Sequence, residues 1–394
     1  MMDGMDLRIL PDGLSPSGRC DERRKRVTAE TGVDLSLLSA TDDRIGQADT
    51  ANCEQMLGFV GLPVGYAGPL KTIFSSDETK DIHLPLATTE GALVASVNRG
   101  CKALSLSGGV TCESTLHGIS RSLAWKVKGK ASAFCEALRE KTAEWTQVAQ
   151  ATSSHLKVLS FDVDEQEGHA FLTINADTDE AMGMNMITIA AQAVGEWSKE
   201  HLPEATFITV AANVDSDKKP SMRTYERGRG TEVFASAVIP AVVIRDTLKS
   251  DLQAMLAVAK AKLTLGSEIA GALGSNLHAA NILAALYLAT GQDPAHVTEG
   301  ALADTSVESI DGALKISVRL PAVIVGVRGG GTGLPTQKQC LDLLLSSRTS
   351  LHPRVQIAES VGAAVLAGEL SLLAAQASHS LASAHAALGR AKKD

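Results

Sequence analysis

The sequence has few aromatic side chains, no excess of basic charge and no paired cysteines. Phe, Trp and Tyr make up 3% of its 394 residues, and 37 Lys and Arg stand against 45 Asp and Glu, a net charge of −8. Nucleic acid is therefore not expected as a partner, because a basic track and stacking platforms are both missing. The six cysteines form no CxxC pair, which argues against a disulfide framework.

Membrane and secretion signals are also missing. Apolar runs such as Ala237–Ile244 and Leu320–Val327 are far shorter than the ~20 residues that cross a bilayer. The segment Met1–Leu14 carries three aspartates and no apolar h-region, so no signal peptide is expected. We therefore expect a cytoplasmic enzyme with no membrane partner.

Several common catalytic motifs are absent as well. Neither GxGxxG after a strand nor GxxxxGK[ST] occurs, so a Rossmann site and a P-loop are unsupported. The sequence lacks a GxSxG elbow, HExxH and any Cys/His cluster, which leaves serine hydrolysis without support and predicts no metal.

The middle of the chain predicts a β-α-β-β-α-β succession, the split βαβ pattern of a ferredoxin-like unit. Its elements are strand Leu123–Lys128, helix Ala131–Gln150, hairpin strands Lys157–Val163 and Ala170–Asn175, helix Asp179–Glu200 and strand Ala205–Ala212. We expect this unit to be inserted into a larger domain.

The segments on either side of this unit are predicted to be mostly helical. Residues 1–50 predict an exposed helical arm that ends near Gly32. Leu252–Leu265 and Ser267–Thr290 predict long Ala-rich helices, and a further helix runs from Val361 to about Leu388. Leu314–Val327 predicts β-structure broken by Pro321.

Ionisable residues gather at predicted turns, and each has an ordinary structural explanation. Glu90 lies at a helix N-terminus, where a surface carboxylate merely favours the helix dipole. Asp217, Lys218 and Lys219 follow an apolar strand, although charge runs are usually solvated. Asp293 in GQDP is equally well explained as a turn former. No single motif decides between these interpretations.

Six motifs in this order resemble 3-hydroxy-3-methylglutaryl-CoA reductase of class I. The resemblance extends from about Cys53 to Arg390. The motifs that carry it are LPVGYAGPL (Leu62–Leu70), PLATTEGALVASVNRGCKA (Pro85–Ala103), EAMGMNMIT (Glu180–Thr188), SDKKP (Ser216–Pro220), LHAANILAALYLATGQDP (Leu277–Pro294) and GGGTGLPTQ (Gly329–Gln337). Class II members lack this DKKP arrangement.

The resemblance implies an α+β fold, in which a large domain around a long central helix carries an inserted ferredoxin-like small domain. The implied divisions are an arm at 1–50, a large domain at 51–121 and 213–394 that binds substrate and CoA and dimerises, and an NAD(P)H-binding domain at 122–212. The implied reaction reduces the thioester to mevalonate and CoA with two NADPH. Its site lies between subunits of a homodimer or a higher even oligomer.

The resemblance also assigns the catalytic roles. Lys218 matches the lysine that stabilises the oxyanion formed by hydride attack, and Asp293 matches the aspartate that bridges it to Glu90. Glu90 matches the proton donor of the second reduction, so the three groups should titrate together. His385 matches the histidine that protonates the departing CoA thiolate, whereas His379 matches an ordinary helix residue.

Binding residues are carried over position by position. The matched substrate and CoA positions are Arg121, Asp217, Lys219, Asn281, Ser96, Asn98 and Arg99. The matched dinucleotide positions are Ser154, His155, Glu180, Met182, Gly183, Met184, Asn185, Gly329, Gly330, Gly331 and Gln337.

Four positions depart from the family pattern. Glu180 replaces an aspartate, and Ala211 replaces a serine that bonds substrate. His155 stands where an arginine meets the adenosine phosphate, and Arg328 replaces an apolar residue before the glycine turn. Because neutral histidine is a poor partner for a 2′-phosphate, NADH is an alternative cofactor, with Lys157 or Arg328 as compensating cations.

Two alternatives to the biosynthetic reductase remain. The same fold could work in mevalonate oxidation, or the chain could be a non-catalytic CoA-binding paralogue. Retention of Glu90, Lys218, Asp293 and His385 argues against the paralogue, because a binding module does not need them.

Overall fold

The computed structural model describes residues 7–378, which form nine strands and a set of helices around them. The strands are β1 Val64–Ile73, β2 Thr79–Ala87, β3 Val110–Val127, β4 Lys157–Gln166, β5 His169–Asp177, β6 Ala205–Thr209, β7 Gly230–Ile239, β8 Asp304–Ile310 and β9 Ala313–Val323. The α-helices are Pro16–Thr31, Asp42–Ile45, Ala48–Ala51, Leu93–Leu106, Ala131–Glu140, Thr142–Ala151, Met184–His201, Met222–Arg227, Ala241–Asp246, Leu252–Ala259, Ser267–Ala270, Ala279–Thr290, Val297–Gly300, Pro335–Leu344 and Pro353–Ala377. Single turns of 3₁₀-helix cover Ser36–Leu38, Pro294–His296 and Gly330–Gly333, and Lys260–Gly266 is π-helical.

Strand β3 is long enough to belong to two layers. Its first half joins β2-β1-β3-β7-β9-β8, where β1 and β3 pair in parallel and the other neighbours are antiparallel. Along β7 every second side chain is buried, as expected for a strand with one face on the core. That face packs against the helix Pro353–Ala377, called the central helix below.

The second half of β3 joins a four-stranded antiparallel layer in the order β4-β5-β3-β6. The predicted hairpin is confirmed, because Lys157 pairs with Asp177 and Gln166 with His169. This order is the one that a split βαβ succession produces. A hydrophobic cluster of its own, centred on Trp125 and Trp145, fills the space under this layer.

The central helix is buried along nearly its whole length. It has 25 residues and is apolar enough to cross a membrane, but 94% of its most apolar stretch lies inside the protein. The core therefore accounts for its composition. Two buried carboxylates on it fix neighbouring loops: Glu359 accepts from Ser75 and Ser114, and Glu369 accepts from the backbone N–H groups of Leu277 and His278.

The structure corrects several predicted helices. Ser267–Thr290 is not continuous, because the helix stops at Ala270 and resumes at Ala279. Gly271 and Gly274 adopt positive φ in between, and a side chain on Gly274 would meet the backbone of Leu302 and Ala303. Glu369 then holds the N–H groups ahead of Ala279, so the shorter helix is fixed at its start.

Other boundaries also move. The predicted helix Ala131–Gln150 is two helices that meet at Lys141. The helix expected over Leu252–Leu265 turns π-helical at Lys260. The last helix begins at Pro353 rather than Val361, and its expected end at Leu388 lies outside the described residues. Strand β9 passes through Pro321 without a break, because a register shift against β7 falls between Leu320 and Val323.

Candidate active site

A cleft of about 670 Å³ lies where the four-stranded layer meets the rest of the molecule. It brings together segments that are far apart in sequence. Of the predicted site residues, those lining it are Met182, Gly183, Met184, Asn185, Lys218, Asp293, Gly329, Gly330, Gly331 and Gln337. Four segments therefore line one cleft. They are the start of helix Met184–His201, the loop 210–221 that carries Lys218 (the lysine loop), the GQDP turn at 291–294 and the glycine turn Gly329–Gly331.

Lys218 and Asp293 form an ion pair in this cleft. The Lys218 Nζ lies 2.7 Å from Asp293 Oδ2, and the lysine side chain remains 41% exposed. Partial burial raises the pKa of Asp293, but hydrogen bonds from Lys218 and the Ala295 N–H, with His296 nearby, outweigh it and hold that pKa below its ordinary value. Asp293 is therefore ionised at neutral pH, and a fixed ammonium faces the cleft.

The loop that carries Lys218 is conformationally strained. Asn213, Ser216 and Lys218 all have positive φ, at 63°, 54° and 58°. Such residues cost of order 1–3 kcal/mol each, so the surroundings must hold them. Glu299 Oε1 accepts the backbone N–H of Lys218 at 3.1 Å, which satisfies a donor that this turn leaves free.

Two arginines pair with carboxylates of the same loop. Arg229 donates to Asp217 at 3.1 Å and makes a short contact with Glu299, and its side chain is 2% exposed. Arg121 lies 3.5 Å from both Asp215 and Asp217. Burial raises the pKa of Asp215, although Arg229 and Arg121 counteract it. Lys219 Nζ donates to the Asp217 carbonyl within the loop.

One group of side chains resembles a metal site but holds a guanidinium. Ligand atoms of Asp217, His296 and Glu299 lie within 4.8 Å of one another. Arg229 already contacts two of them. The positive charge that a cation would supply is therefore provided by the chain itself.

Glycines allow the cleft segments to approach closely. Gly291 ends helix Ala279–Thr290 with φ 71°, and a Cβ there would lie 2.2 Å from the Gly331 carbonyl oxygen. This contact places the GQDP turn against the glycine turn. Gly183 has φ 98° at the start of helix Met184–His201, where a Cβ would collide with Thr178.

Two departures from the family pattern compensate one another. Arg328 Nε lies 2.6 Å from Glu180 Oε2, and the N–H of Val327 donates to the Glu180 carbonyl. The additional methylene of Glu180 lets its carboxylate reach Arg328. Arg328 therefore faces the cleft with its charge paired, which weakens its role as a free cation for a phosphate.

His155 is also paired with a carboxylate. It lies on the turn before β4, with Nδ1 2.8 Å from Asp179 Oδ2, while His352 Nε2 is 3.0 Å from Oδ1. Hydrogen bonds to His155 and His352 hold the pKa of Asp179 below its ordinary value. Ser154 is exposed beside His155, and neither residue lines the cleft.

Several predicted residues stay outside the cleft within one chain. Glu90 is exposed ahead of helix Leu93–Leu106, so contact among Lys218, Asp293 and Glu90 is not seen in the described part of a single chain. Arg99 and Ser96 bond to Ser371 on the central helix, and Asn98 accepts the Gly68 N–H. Asn281 lies in the first turn of helix Ala279–Thr290.

Three residues that hold the site were not predicted from the sequence. Arg229, His296 and Glu299 are almost fully buried and surround the lysine loop. One signal was available, because Asp293, His296 and Glu299 recur every three residues through a helical turn. Predicted roles for His385 and His379 fall outside the described residues.

The buried pair Arg229–Glu299 gives a prediction about stability. Glu299→Gln removes one of the two carboxylates that pair with the buried guanidinium of Arg229, so we expect a loss of about 3 kcal/mol in the free energy of unfolding. Urea denaturation measures this. Glu308→Gln breaks a surface pair with Lys315 and should cost below about 1 kcal/mol. Equal losses in the two variants would contradict the assigned importance of the buried pair.

Comparison with known proteins decides the family. The model of the family described as hydroxymethylglutaryl-coenzyme A reductase matches residues 19–390. The 3-hydroxy-3-methylglutaryl-coenzyme A reductase of Methanocaldococcus jannaschii is 39% identical over 376 residues, covering 93% of this chain and 92% of that protein. The enzyme of the same name from Halobacterium salinarum is 40% identical, covering 87% and 85%. The chain belongs to the hydroxymethylglutaryl-coenzyme A reductase family.

Solved structures support the fold of this reductase family. A class II 3-hydroxy-3-methylglutaryl-CoA reductase from Streptococcus pneumoniae, bound to NADPH in open conformations, matches with a TM-score of 0.67 at 20% identity. The match covers 90% of this chain and 92% of that chain. The predicted mixed α and β fold class is thus confirmed, whereas these structural neighbours do not distinguish class I.

Proposed function

We propose that the chain is a hydroxymethylglutaryl-CoA reductase, which reduces (S)-3-hydroxy-3-methylglutaryl-CoA to (R)-mevalonate and CoA in isoprenoid biosynthesis. The observation that carries the proposal is the Lys218–Asp293 pair, exposed in a cleft beside a glycine turn in a chain of this family. A preorganised ammonium stabilises an oxyanion where its charge develops, and such groups supply much of the rate enhancement in acyl chemistry.

NADPH is the proposed cofactor, and the cleft fits a dinucleotide. Gly329 and Gly330 have positive φ, and no atom lies within 4 Å of where their side chains would be. The backbone is therefore open to close approach by a pyrophosphate. NADPH, when bound, supplies the hydride. Helix Met184–His201 begins in the same cleft and directs its N–H groups there.

The residues of the chain handle the remaining charge and protons. Asp293 keeps Lys218 fixed, and the ammonium donates to the thioester oxygen as it becomes an oxyanion. Arg121 and Lys219 flank Asp217 and are the proposed cations for the substrate carboxylate. We assign protonation of the CoA thiolate to His385 and of the final alkoxide to Glu90.

We propose that Glu90 reaches this site from a second copy of the chain in a homodimer or higher even oligomer. Within one chain Glu90 does not line the cleft that holds Lys218. Ser96, Asn98 and Arg99 follow it on helix Leu93–Leu106, so the CoA-binding face would accompany Glu90 across the interface. A symmetric dimer then contains two complete sites.

We propose the domain division 1–50, 51–121 with 213–394, and 122–212, with NAD(P)H bound by the small domain. Separate hydrophobic clusters favour it: one centres on the central helix, one on Trp125, and a small one on Cys20 and Ile45. The DKKP sequence supports class I. A cytoplasmic location agrees with the burial of the central helix.

Cofactor preference gives a second prediction. His155 stands at the position that the resemblance assigns to the adenosine phosphate contact, and its Nδ1 is paired with the carboxylate of Asp179. His155→Arg should raise the ratio of kcat/KM for NADPH to that for NADH by about tenfold, because guanidinium pairs with a 2′-phosphate. His155→Gln is the neutral control and should leave the ratio unchanged. If the two variants had the same NADPH to NADH ratio of kcat/KM, the 2′-phosphate would not bind beside residue 155.

Product identification tests the function directly. Purified chain is incubated with 3-hydroxy-3-methylglutaryl-CoA and NADPH, and mass spectrometry identifies the acid product. Mevalonate is the expected result. The reverse reaction, with mevalonate, CoA and NADP⁺, compares the oxidative direction at the same enzyme concentration. A folded protein that binds CoA but forms no product in either direction would instead support the non-catalytic paralogue.

A further inference from the structure

His296 is a fully buried imidazole next to the ion pair, and its two ring nitrogens have different surroundings. Its Nδ1 lies 2.7 Å from Glu299 Oε2. Its Nε2 has no hydrogen-bond partner among the described residues and lies 3.9 Å from Asp293 Oδ2. A buried polar atom without a partner is costly, and here it faces a carboxylate of the proposed active site.

Two carboxylates near this imidazole hold Lys218, one at its side chain and one at its backbone. Asp293 bonds the Lys218 ammonium, while Glu299 accepts the Lys218 backbone N–H. His296 stands between the two carboxylates on the helical turn that carries them all. Lys218 needs both constraints, because its φ is positive and its side chain is partly exposed.

We propose that His296 is a positioning residue of the reductase site, which couples Glu299 to Asp293 and so fixes the ammonium of Lys218. This inference rests on the proposed function for its kinetic consequences only. A closure of less than 1 Å would turn the contact between His296 Nε2 and Asp293 into a hydrogen bond. Misplacement of a catalytic group by about 1 Å can cost of order 100-fold in rate.

The charged and titratable groups around His296 lie on its own turn and on the elements packed against it. They are Asp293 and Glu299 on its own turn, Asp217 and Lys218 on the lysine loop, Arg229 just before β7, and the Tyr287 hydroxyl group on helix Ala279–Thr290, which lies near Glu299. Among them Asp293 is the group whose ionisation His296 directly favours. Removing the Nε2 arm should therefore raise the pKa of Asp293.

Two substitutions separate the two nitrogen atoms. The amide of asparagine reaches about as far as Nδ1, and that of glutamine about as far as Nε2. His296→Asn should lower kcat about tenfold and move the acid limb of its pH profile to higher pH, with KM for 3-hydroxy-3-methylglutaryl-CoA changed less than about twofold. His296→Gln should keep kcat within about threefold of wild type and leave the acid limb in place.

Amide hydrogen exchange tests the contact between His296 Nδ1 and Glu299, and it needs no catalytic turnover. His296→Gln loses the bond to Glu299, so exchange of the Lys218 amide should accelerate about tenfold, whereas His296→Asn should stay within about twofold. Because exchange needs no substrate, it decides the role of His296 even if the reductase assignment fails. The proposal is overturned if the two variants have the same pH profile and the same exchange rate of the Lys218 amide. It is also overturned if the changes in kcat and in exchange simply follow the loss of thermal stability in each variant.

Discussion

Replacing Lys218 by methionine is expected to lower kcat with 3-hydroxy-3-methylglutaryl-CoA and NADPH by at least about a thousandfold. Methionine keeps the length and much of the apolar stem but has no ammonium to meet the oxyanion. Asp293 also loses the partner that lies 2.7 Å away, so its carboxylate would face the developing negative charge. Steady-state kinetics at saturating substrate measures the loss.

Binding and a matched lysine distinguish chemistry from misfolding. CoA affinity of Lys218→Met should remain near that of wild type, since the proposed CoA-binding face lies on helix Leu93–Leu106. Lys315→Met removes a surface lysine that pairs with Glu308 and should keep full activity. A Lys218→Met protein that turned over at the wild-type rate would refute the oxyanion role.

Mixing two inactive variants should restore activity. If Glu90 of one chain serves Lys218 of its partner, a heterodimer of Glu90→Gln and Lys218→Met has one intact site and one doubly altered site. Random exchange at equal concentrations makes about half of the dimers mixed, so about a quarter of the wild-type activity should return. Activity is measured after the chains are unfolded together and refolded.

The control for this mixture uses two residues assigned to the same chain. Asp293→Asn mixed with Lys218→Met should regain nothing, because both residues line one cleft. Recovery in this mixture, or none with Glu90→Gln, would show that Glu90 and Lys218 do not meet across an interface.

Local patterns in the sequence predicted the four-stranded layer well. Alternating side chains on either side of the turn-like segment Asp164–His169 predicted the β4–β5 hairpin, although the strands pair further, up to Gln166 and His169. The break between Ala270 and Ala279 was missed, because an Ala-rich run favours helix while the constraint comes from Glu369, about 90 residues away. Tertiary contacts overrode propensity at this point.

The site was predictable only in part. From the residues alone, Lys218 and Asp293 had ordinary explanations as a charge run and a turn, and only the family resemblance placed them together. Their ion pair is observed. The sequence did not predict the roles of Arg229, His296 and Glu299. Their contacts depend on how the lysine loop packs against the turn after Asp293.

The stoichiometry of cofactor to thiol tests the central claim most directly. The fall in nicotinamide absorbance and the release of CoA thiol are followed in one reaction with 3-hydroxy-3-methylglutaryl-CoA. A four-electron reduction at the Lys218–Asp293 cleft predicts about two NADPH oxidised for each thiol released, because both reductions occur before mevalonate leaves. Thiol release without NADPH oxidation, or no reaction by the folded protein with either NADPH or NADH, would contradict the account.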